Sequence, residues 1–287
     1  EGRSVHEGDM VGTEARGRLA AEFPAPVMTI NASGDGPFVL VCDHASNRIP
    51  DGFDGLGLRP HERLMHIAWD PGALAVALQL SERLDAPLVH STVSRLVVDC
   101  NRTDTAPDLI PVVSELTSIP GNAALEPGDR LTRVARYHTP FHAAITDLLD
   151  RRKAAGQETI LVTVHSYTPV YKGVQRPWPI GLIHGRDMGF TRAVGDALLA
   201  EWPDLNLGWN EPYAALNGVT HTLEHHGDGR GLEATMIEIR HDEILEPAGV
   251  TFWSDRLARA LERARGSLLP GAPVRARQPI STGGIDG

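Results

Sequence analysis

The chain has 287 residues, of which 41% are hydrophobic and 22% are charged, and its formal net charge is -10. This is the composition of a globular protein, long enough for one large α/β domain or two small ones. No basic stripe interleaved with aromatic residues is present, so nucleic acid is not expected as a partner. No apolar stretch approaches the roughly 18 residues of a membrane span, and no signal pattern is visible, so we expect a cytoplasmic protein that makes no membrane contact.

The two ends of the sequence differ from its middle. Residues 1–35 are polar, glycine-rich and charged, and we interpret them as a flexible N-terminal arm with one short helix near 13–22. Residues 271–287 have a similar composition and are predicted to form a C-terminal tail. Residues 36–270 show neither a linker nor an internal repeat, so we predict a single domain there.

Strand-like and helix-like segments alternate through this domain. Short apolar runs predict strands at 38–42, 86–90, 96–100, 159–164, 180–184 and 235–239. Apolar residues at helical spacing predict a helix that begins at 70–72, and further helices at 131–153, 190–202 and 252–265. The alternation predicts an α/β fold of the phosphorylase/hydrolase-like kind, a doubly wound, mostly parallel mixed sheet with helices on both faces.

The two cysteines, Cys42 and Cys100, each end one of the apolar runs. Two isolated cysteines make a poor disulfide framework, and cysteine is among the residues most often buried. We therefore predict two buried free thiols and a reducing compartment.

Four polar residues lie at the ends of the predicted elements. His44 follows the strand at 38–42, His165 follows the most apolar strand, and Glu238 interrupts the last one. Asp70 begins the first helix of the domain, where it could also serve as the helix N-cap. Parallel strands end at one crevice, where α/β proteins bind ligands, so we expect these residues to meet. Two imidazoles, a carboxylate and a spare glutamate suit a catalytic zinc site with an open water position.

Arginines lie near the same strand ends. Arg102 follows Asn101 directly after the predicted strand at 96–100, where a guanidinium can hold a carboxylate through two parallel hydrogen bonds. A salt bridge from Arg102 to Asp99 or Asp104 is an equally good interpretation. Arg95, Arg176 and Arg240 add positive charge in this acidic chain, which indicates an anionic substrate.

Two histidine pairs offer competing sites. His221 and His225 flank Glu224 with the His-x-x-Glu-His spacing of one class of metalloproteases. Several glycines crowd this segment and disfavour a helix, so we interpret it as a loop near the site. His138 and His142 are also four residues apart, on a predicted helix, and we interpret them as a packing pair or as support for other ligands.

Six segments together resemble the N-formylglutamate amidohydrolase family, and the resemblance covers roughly residues 37–265. They are Val41-Cys42-Asp43-His44-Ala45-Ser46-Asn47, Trp69-Asp70-Pro71-Gly72, Ser94-Arg95-Leu96-Val97-Val98-Asp99-Cys100-Asn101-Arg102, Val164-His165-Ser166-Tyr167-Thr168-Pro169, Asn210-Glu211-Pro212-Tyr213 and Glu238-Ile239-Arg240-His241-Asp242. That family is similar in fold to zinc carboxypeptidases, aspartoacylases and zinc-dependent cell-wall amidases. The resemblance implies a doubly wound sheet with one zinc ion at the strand ends.

The resemblance also implies roles for single residues. His44 and His165 correspond to zinc ligands, and Glu238 corresponds to the catalytic glutamate. Asn101 and Arg102 correspond to the pair that holds a substrate carboxylate, while Arg95, Arg176 or Arg240 would bind further negative charge.

The second metal ligand departs from the carboxypeptidase pattern. His-x-x-Glu would place that ligand at Asn47, and asparagine binds zinc poorly. The cell-wall amidases take a glutamate from the start of the next helix, a place that Asp70 occupies here. We therefore predict Asp70, with Asn47 as the fallback and Glu62 as a weaker option.

The implied activity is zinc-dependent hydrolysis of N-formyl-L-glutamate to formate and L-glutamate, the last step of one route of histidine degradation. The residues themselves indicate only amide hydrolysis of a small anionic N-acyl amino acid. Mn, Fe, Co or Ni would suit the same ligands. The alternatives are an amidase for another N-acyl amino acid or a peptidoglycan fragment, and a non-catalytic relative that binds carboxylates. The segments 110–127 and 209–231 are expected to set substrate choice.

Overall fold

A seven-stranded mixed sheet runs through the part of the chain that the structure describes, residues 25–213 and 218–268 of a computed structural model. Its strands are β1 (Val27–Ile30), β2 (Phe38–Cys42), β3 (Leu88–Ser91), β6 (Ile160–Tyr167), β9 (Ile180–Ile183), β10 (Leu207–Trp209) and β11 (Ala234–Arg240). The remaining strands form two small hairpins, which pair β4 (Val113–Ser114) with β5 (Thr117–Ser118) and β7 (Val170–Tyr171) with β8 (Val174–Gln175). The order across the sheet is β1-β3-β2-β6-β11-β9-β10.

The four central strands, β3, β2, β6 and β11, are parallel to one another. The strand β1 is antiparallel to β3, β9 is antiparallel to β11, and β10 is parallel to β9. The predicted mostly parallel mixed sheet is therefore confirmed, with the parallel part at its centre.

Helices pack on both faces of the sheet, as predicted. They are α1 (Ala73–Arg83), α2 (Pro127–Arg133), α3 (Thr139–Ala154), α4 (Gly189–Glu201) and α5 (Pro247–Leu268). Alternate residues of a strand point to opposite faces. Leu40 accordingly joins the core beneath α1, α4 and α5, while Val39 and Val41 pack against Phe141 and Ile145 of α3.

Most predicted elements are present with shifted ends. The predicted helix at 131–153 is divided into α2, a π-helical turn at Val134–His138, and α3. The strand β1 lies within residues that the sequence assigns to the N-terminal arm, and β10 was not predicted. Both strands are short and only partly buried, so their apolar pattern is weak. The predicted helix at 13–22 and the tail at 271–287 lie outside the described residues.

The predicted strand at 96–100 is wrong. This segment is a buried turn, and Leu96, Val97 and Val98 pack in a second hydrophobic core with the residues around 56 and 119. Side chains take the place of a neighbouring strand as hydrogen-bond partners: Asn122 donates to the carbonyl of Leu96, and Arg133 donates to that of Val97. The apolar run correctly predicted that these residues are buried. It did not require a strand, because buried backbone groups can also form their hydrogen bonds with side chains.

Cys42 and Cys100 are buried free thiols, as predicted. Burial raises the pKa of each thiol well above its ordinary value, so both stay protonated at neutral pH. No helix among the described residues is both long and apolar enough to cross a membrane.

Candidate active site

Three of the predicted site residues meet at one point. His44 follows β2, Asp70 precedes α1, and His165 lies within β6 rather than after it. One ligand atom from each of these residues lies within 4.8 Å of the other two, and the two imidazole centroids are 5.1 Å apart. All three side chains are buried. The sequence prediction that they converge is supported by this geometry.

The sheet itself sets the position of the fourth residue. Glu238 on β11 is the direct register partner of His165 on β6, so both side chains rise from the same face of two adjacent parallel strands. The backbone N–H of Asp70 donates to the carbonyl of His44 over 2.9 Å, which fixes the start of the α1 segment against the end of β2.

Asp70 does not cap the helix that follows it. The N-cap of α1 is Gly72, whose φ of 81° lies in the left-handed region, and a Cβ there would come 2.5 Å from the carbonyl oxygen of Ile244. Asp70 Oδ2 instead accepts from the backbone N–H of Ser166 at 3.3 Å. The same oxygen lies 2.9 Å from His165 Nδ1 and 3.3 Å from His44 Nδ1.

Two further carboxylates lie beside the imidazoles. His44 Nε2 lies 2.7 Å from Asp99 Oδ1, and His165 Nε2 lies 3.1 Å from Asp43 Oδ2, the latter without good hydrogen-bond alignment. The Nδ1 atoms of both rings therefore face Asp70 while a carboxylate lies beside each Nε2. Histidines that bind a metal commonly donate their other nitrogen in this way. Sequence reasoning did not assign this role to Asp43 or Asp99, although both lie in the motifs quoted above.

The electrostatics of the cluster favour a cation. Burial and Arg95 act to lower the pKa of His44, but Asp99 and Asp70 outweigh them and raise it. The pKa of Asp70 is lowered because the two imidazoles overcome the effect of its burial. Two imidazoles and a buried carboxylate, backed by Asp43 and Asp99, form a donor set that fits a divalent transition metal such as zinc.

Glu238 has the environment of a proton-transfer group. It is 4% exposed, it lines the cavity described below, and its Oε2 has no hydrogen-bond partner among the described residues. Burial raises the pKa of Glu238 to about 7, with Asp70 adding to the effect and His165 opposing it. A carboxyl group with a pKa near neutrality can both accept and donate a proton.

These residues line a cavity of about 290 Å³. Arg95, Arg102 and Asn101 line it too, together with an aromatic wall of Tyr167, Tyr171 and Tyr213. The hairpins β4–β5 and β7–β8 meet at its edge, where Glu115 accepts from the backbone N–H of Lys172 and lies 3.0 Å from His66 Nε2. The segment 110–127 thus borders the cavity.

The predicted substrate-binding residues differ in their present partners. Arg95 donates to Asp99 at 2.8 Å and lies 3.5 Å from Asp70. Arg102 pairs with Asp108 at 2.8 Å and lies 4.0 Å from Asp99, so its pairing is not with Asp104.

The side chain of Asn101 makes two hydrogen bonds to the protein backbone. Its side-chain amide donates to the carbonyl of Val219, and its Oδ1 accepts from the N–H of Thr222 at 3.0 Å. The structure thus places Asn101 at the cavity, where its side chain also joins the turn around residue 101 to the segment at 219–222.

Arg176 and Arg240 lie differently from each other. The guanidinium of Arg176 is within 4.5 to 5.6 Å of the ring centroids of Tyr167, Tyr171 and Tyr213, the three residues of the aromatic wall. It is 8% exposed and has no carboxylate partner within the described ranges. Arg240 instead pairs with Asp242 and Glu243, and neither arginine is among the residues that line the cavity.

The alternative second ligands lie elsewhere. Asn47 donates its side-chain amide to the carbonyl of Arg63, and Glu62 pairs with Arg59 at 2.6 Å. Neither belongs to the group of ligand atoms around His44 and His165.

The predicted loop at 221–225 is wrong. His221 and Thr222 begin a helical segment that continues as a π-helical turn at Leu223–Gly227. Gly227 is accommodated because its backbone packs closely on Ala234 and Leu161, where a Cβ would come 2.8 Å from Ala234 Cβ. Tertiary packing has overridden the low helix propensity of glycine.

The fold and site together define an α/β protein with a candidate catalytic metal centre at the ends of central parallel strands. The chain belongs to the N-formylglutamate amidohydrolase family, whose model matches residues 36–245. A search of curated proteins gave no match.

Solved structures similar to this chain include the following two. Gene product Atu2144 from Agrobacterium tumefaciens has 41% identity and a TM-score of 0.83, with 86% of this chain and 97% of that chain covered. N-formylglutamate amidohydrolase from Ralstonia eutropha JMP134 has 20% identity and a TM-score of 0.63, with 85% of this chain and 98% of that chain covered. The second comparison establishes likeness of fold.

Proposed function

We propose that this protein is a metal-dependent amidohydrolase that cleaves N-formyl-L-glutamate to formate and L-glutamate. The observation that carries the proposal is the meeting of His44, Asp70 and His165 within 4.8 Å, beside the buried Glu238, whose Oε2 has no hydrogen-bond partner in the part of the chain that the structure describes. Membership of the N-formylglutamate amidohydrolase family supports the reaction class.

His44 and His165 through Nδ1, and Asp70 through a carboxylate oxygen, would hold one divalent ion, which we propose to be zinc. When bound, such an ion supplies a water of lowered pKa and polarises the amide carbonyl. Asp99 and Asp43 hold the two rings in orientation, so the ligand geometry would be prepared before the metal enters.

Glu238 would act as general base and then as general acid. Its carboxylate takes a proton from the attacking water, and the resulting carboxylic acid gives that proton to the leaving amide nitrogen. This second transfer matters because an amine anion is a poor leaving group. The pKa of about 7 and the lack of any hydrogen-bond partner in the described part suit both transfers.

The positive groups around the cavity would bind the carboxylates of the substrate. Arg95 and Arg102 line the cavity and are already paired with Asp99 and Asp108. The side chain of Arg176 packs on three tyrosines and donates to the Tyr213 hydroxyl, without a carboxylate partner in the described residues. We therefore propose that Arg102 holds one substrate carboxylate and that Tyr213, which lines the cavity, receives the second, with the positive charge of Arg176 acting through its hydrogen bond to the Tyr213 hydroxyl. Anchoring the amino-acid part orients a formyl group that offers little surface to bind.

The test is formate release from a panel of N-acyl amino acids. We expect the metal-loaded enzyme to hydrolyse N-formyl-L-glutamate with a higher kcat/KM than N-formyl-L-leucine or N-acetyl-L-glutamate. Chelation should abolish turnover, and added zinc should restore it. Cleavage of N-acetyl-L-glutamate in preference to the formyl substrate would favour the alternative of an amidase for another N-acyl amino acid. Binding of N-formyl-L-glutamate without formate release would favour a non-catalytic relative.

A further inference from the structure

Five histidines lie together beside the candidate active site: His138, His142, His221, His225 and His226. Their neighbouring ring centroids are 4.4 to 6.1 Å apart. Within the described residues, the walls of the 290 Å³ cavity include none of them. The proposed amide hydrolysis therefore leaves this histidine cluster without a role.

Two helical segments bring the cluster together. His138 ends the π-helical turn before α3, and His142 lies one turn further on. His221 and His225 are likewise four residues apart on the segment that leads into the second π-helical turn, and their rings stack with centroids 5.4 Å apart. One ring nitrogen from each of His138, His142 and His221 lies within 4.8 Å of the others. π-helical turns are rare and often occur at functional sites.

Backbone carbonyls fix the tautomers of two of these rings. His138 Nε2 donates to the carbonyl of Arg102 at 2.8 Å, and His142 Nε2 donates to that of Cys100 at 2.9 Å. Each ring therefore keeps the lone pair of its Nδ1. Metal-binding histidines commonly have their second nitrogen held by a carbonyl in this manner.

Two rings of the cluster, His142 and His221, are uncharged at neutral pH. Burial, together with the neighbouring imidazoles, lowers the pKa of His142 to about 3 and that of His221 to about 4. Asp43 acts on both rings in the opposite direction, so a carboxylate lies close enough to the cluster to balance added positive charge.

We propose that His138, His142 and His221 form a second metal site, which takes a divalent transition ion of the zinc or cobalt kind. Neutral imidazoles prefer such ions to magnesium or calcium. His226 now donates its Nε2 proton to His142 Nδ1 at 2.9 Å, and the metal would replace that proton as the partner of the lone pair. His225, which is exposed, is a fourth donor within reach.

A metal ion at this position would be structural. The carbonyls of Cys100 and Arg102 belong to the loop that carries Asp99 and Arg102 into the candidate active site. The segment that begins at His221 contacts the same loop, because the N–H of Thr222 donates to Asn101 Oδ1. The ion would tie α3, this loop and the segment at 221 to one another.

The experiment counts metal equivalents in the untagged full chain, after chelation and equilibrium dialysis against buffered zinc. It compares the wild type with His221→Asn, His165→Ala, the double variant and His61→Ala, a control at an exposed histidine. His221 is half-buried, so its replacement disturbs the fold less than a change at buried His138. Circular dichroism confirms that each variant is folded, and cobalt absorption spectra report on each site separately.

We expect two equivalents in the wild type and in His61→Ala, one in each single variant, and none in the double variant. An equivalent that persists in His165→Ala and disappears with His221→Asn supports the second site even if the first site holds no metal. Metal content that is unchanged by His221→Asn, or lost entirely with His165→Ala alone, would overturn the proposal.

Discussion

Glu238 and His165 are direct partners on adjacent parallel strands, so their side chains rise from the same face of the sheet at the same level. This register brings the proposed base beside a proposed metal ligand without any flexible loop between them. A site built on central strands is held more rigidly than a site built on loops.

Replacing Glu238 by glutamine should separate metal binding from turnover. The amide has the same shape but cannot accept the proton, so we expect Glu238→Gln to keep its zinc and to lose about 10²- to 10⁴-fold in kcat. The measurements are formate release and metal content on the same preparation. Glu82→Gln, at an exposed residue of α1, is the matched control and should keep full activity. Full activity in Glu238→Gln would remove Glu238 from the mechanism.

The choice of second ligand can be tested by a pair of variants. Asp70→Asn should lose bound zinc while the fold is retained, because the amide oxygen can still accept from the N–H of Ser166. Asn47→Ala should keep its zinc, since Asn47 bonds to the carbonyl of Arg63 instead. Elemental analysis measures the zinc content of both variants. Zinc that is kept by Asp70→Asn and lost by Asn47→Ala would identify Asn47 as the second ligand.

Asp99 and Asp43 are expected to act through the histidines that they orient. Replacing either by asparagine should weaken zinc affinity by about 10- to 100-fold, the usual cost of losing a carboxylate behind a metal-binding histidine. Zinc competition with a chromophoric chelator measures the affinity of each variant. Asp104→Asn is the comparison, because Arg102 pairs with Asp108 and not with Asp104. Equal affinities in all three variants would rule out the orienting role.

The proposed role of Arg176 predicts a substrate-dependent defect. Arg176→Ala should lower kcat/KM for N-formyl-L-glutamate by about 10- to 100-fold, which corresponds to the loss of a hydrogen bond to a charged group. The loss should be smaller for N-formyl-L-leucine, which has a single carboxylate. Arg259→Ala, at an exposed arginine paired with Glu201, serves as the control. A uniform loss with both substrates would indicate that Arg176 supports the tyrosine wall rather than the substrate.

The buried turn at 96–100 makes a prediction about stability. The Asn122 amide donates to the carbonyls of Leu96 and Pro111 and accepts from Arg133, all in a buried position. Asn122→Ala should lower the free energy of unfolding by about 1 to 3 kcal/mol for each carbonyl left without a partner. Asn206→Ala removes one exposed hydrogen bond and should change stability far less. Chemical denaturation of both variants makes the comparison.

The sequence predicted the sheet and the convergence of its site because long apolar runs mark central strands, and polar residues at their ends stand out. Patterns of this kind do not show which groups form hydrogen bonds with the backbone of a buried apolar run. The turn at 96–100 was therefore predicted to be a strand. Nor do such patterns show which charges are already paired. Arg176 and Arg240 look alike in sequence, yet Arg176 packs on a tyrosine of the cavity wall whereas Arg240 pairs with Asp242. The roles of Asp43 and Asp99 depend on the direction of imidazole rings, which folding alone determines.

The most direct measurement of the central claim is an anomalous difference map from a crystal of this protein grown with zinc. We predict a peak at about 2.0 to 2.2 Å from His44 Nδ1, His165 Nδ1 and an Asp70 oxygen. A map in which zinc occupies other residues and leaves these three without a metal would contradict the account.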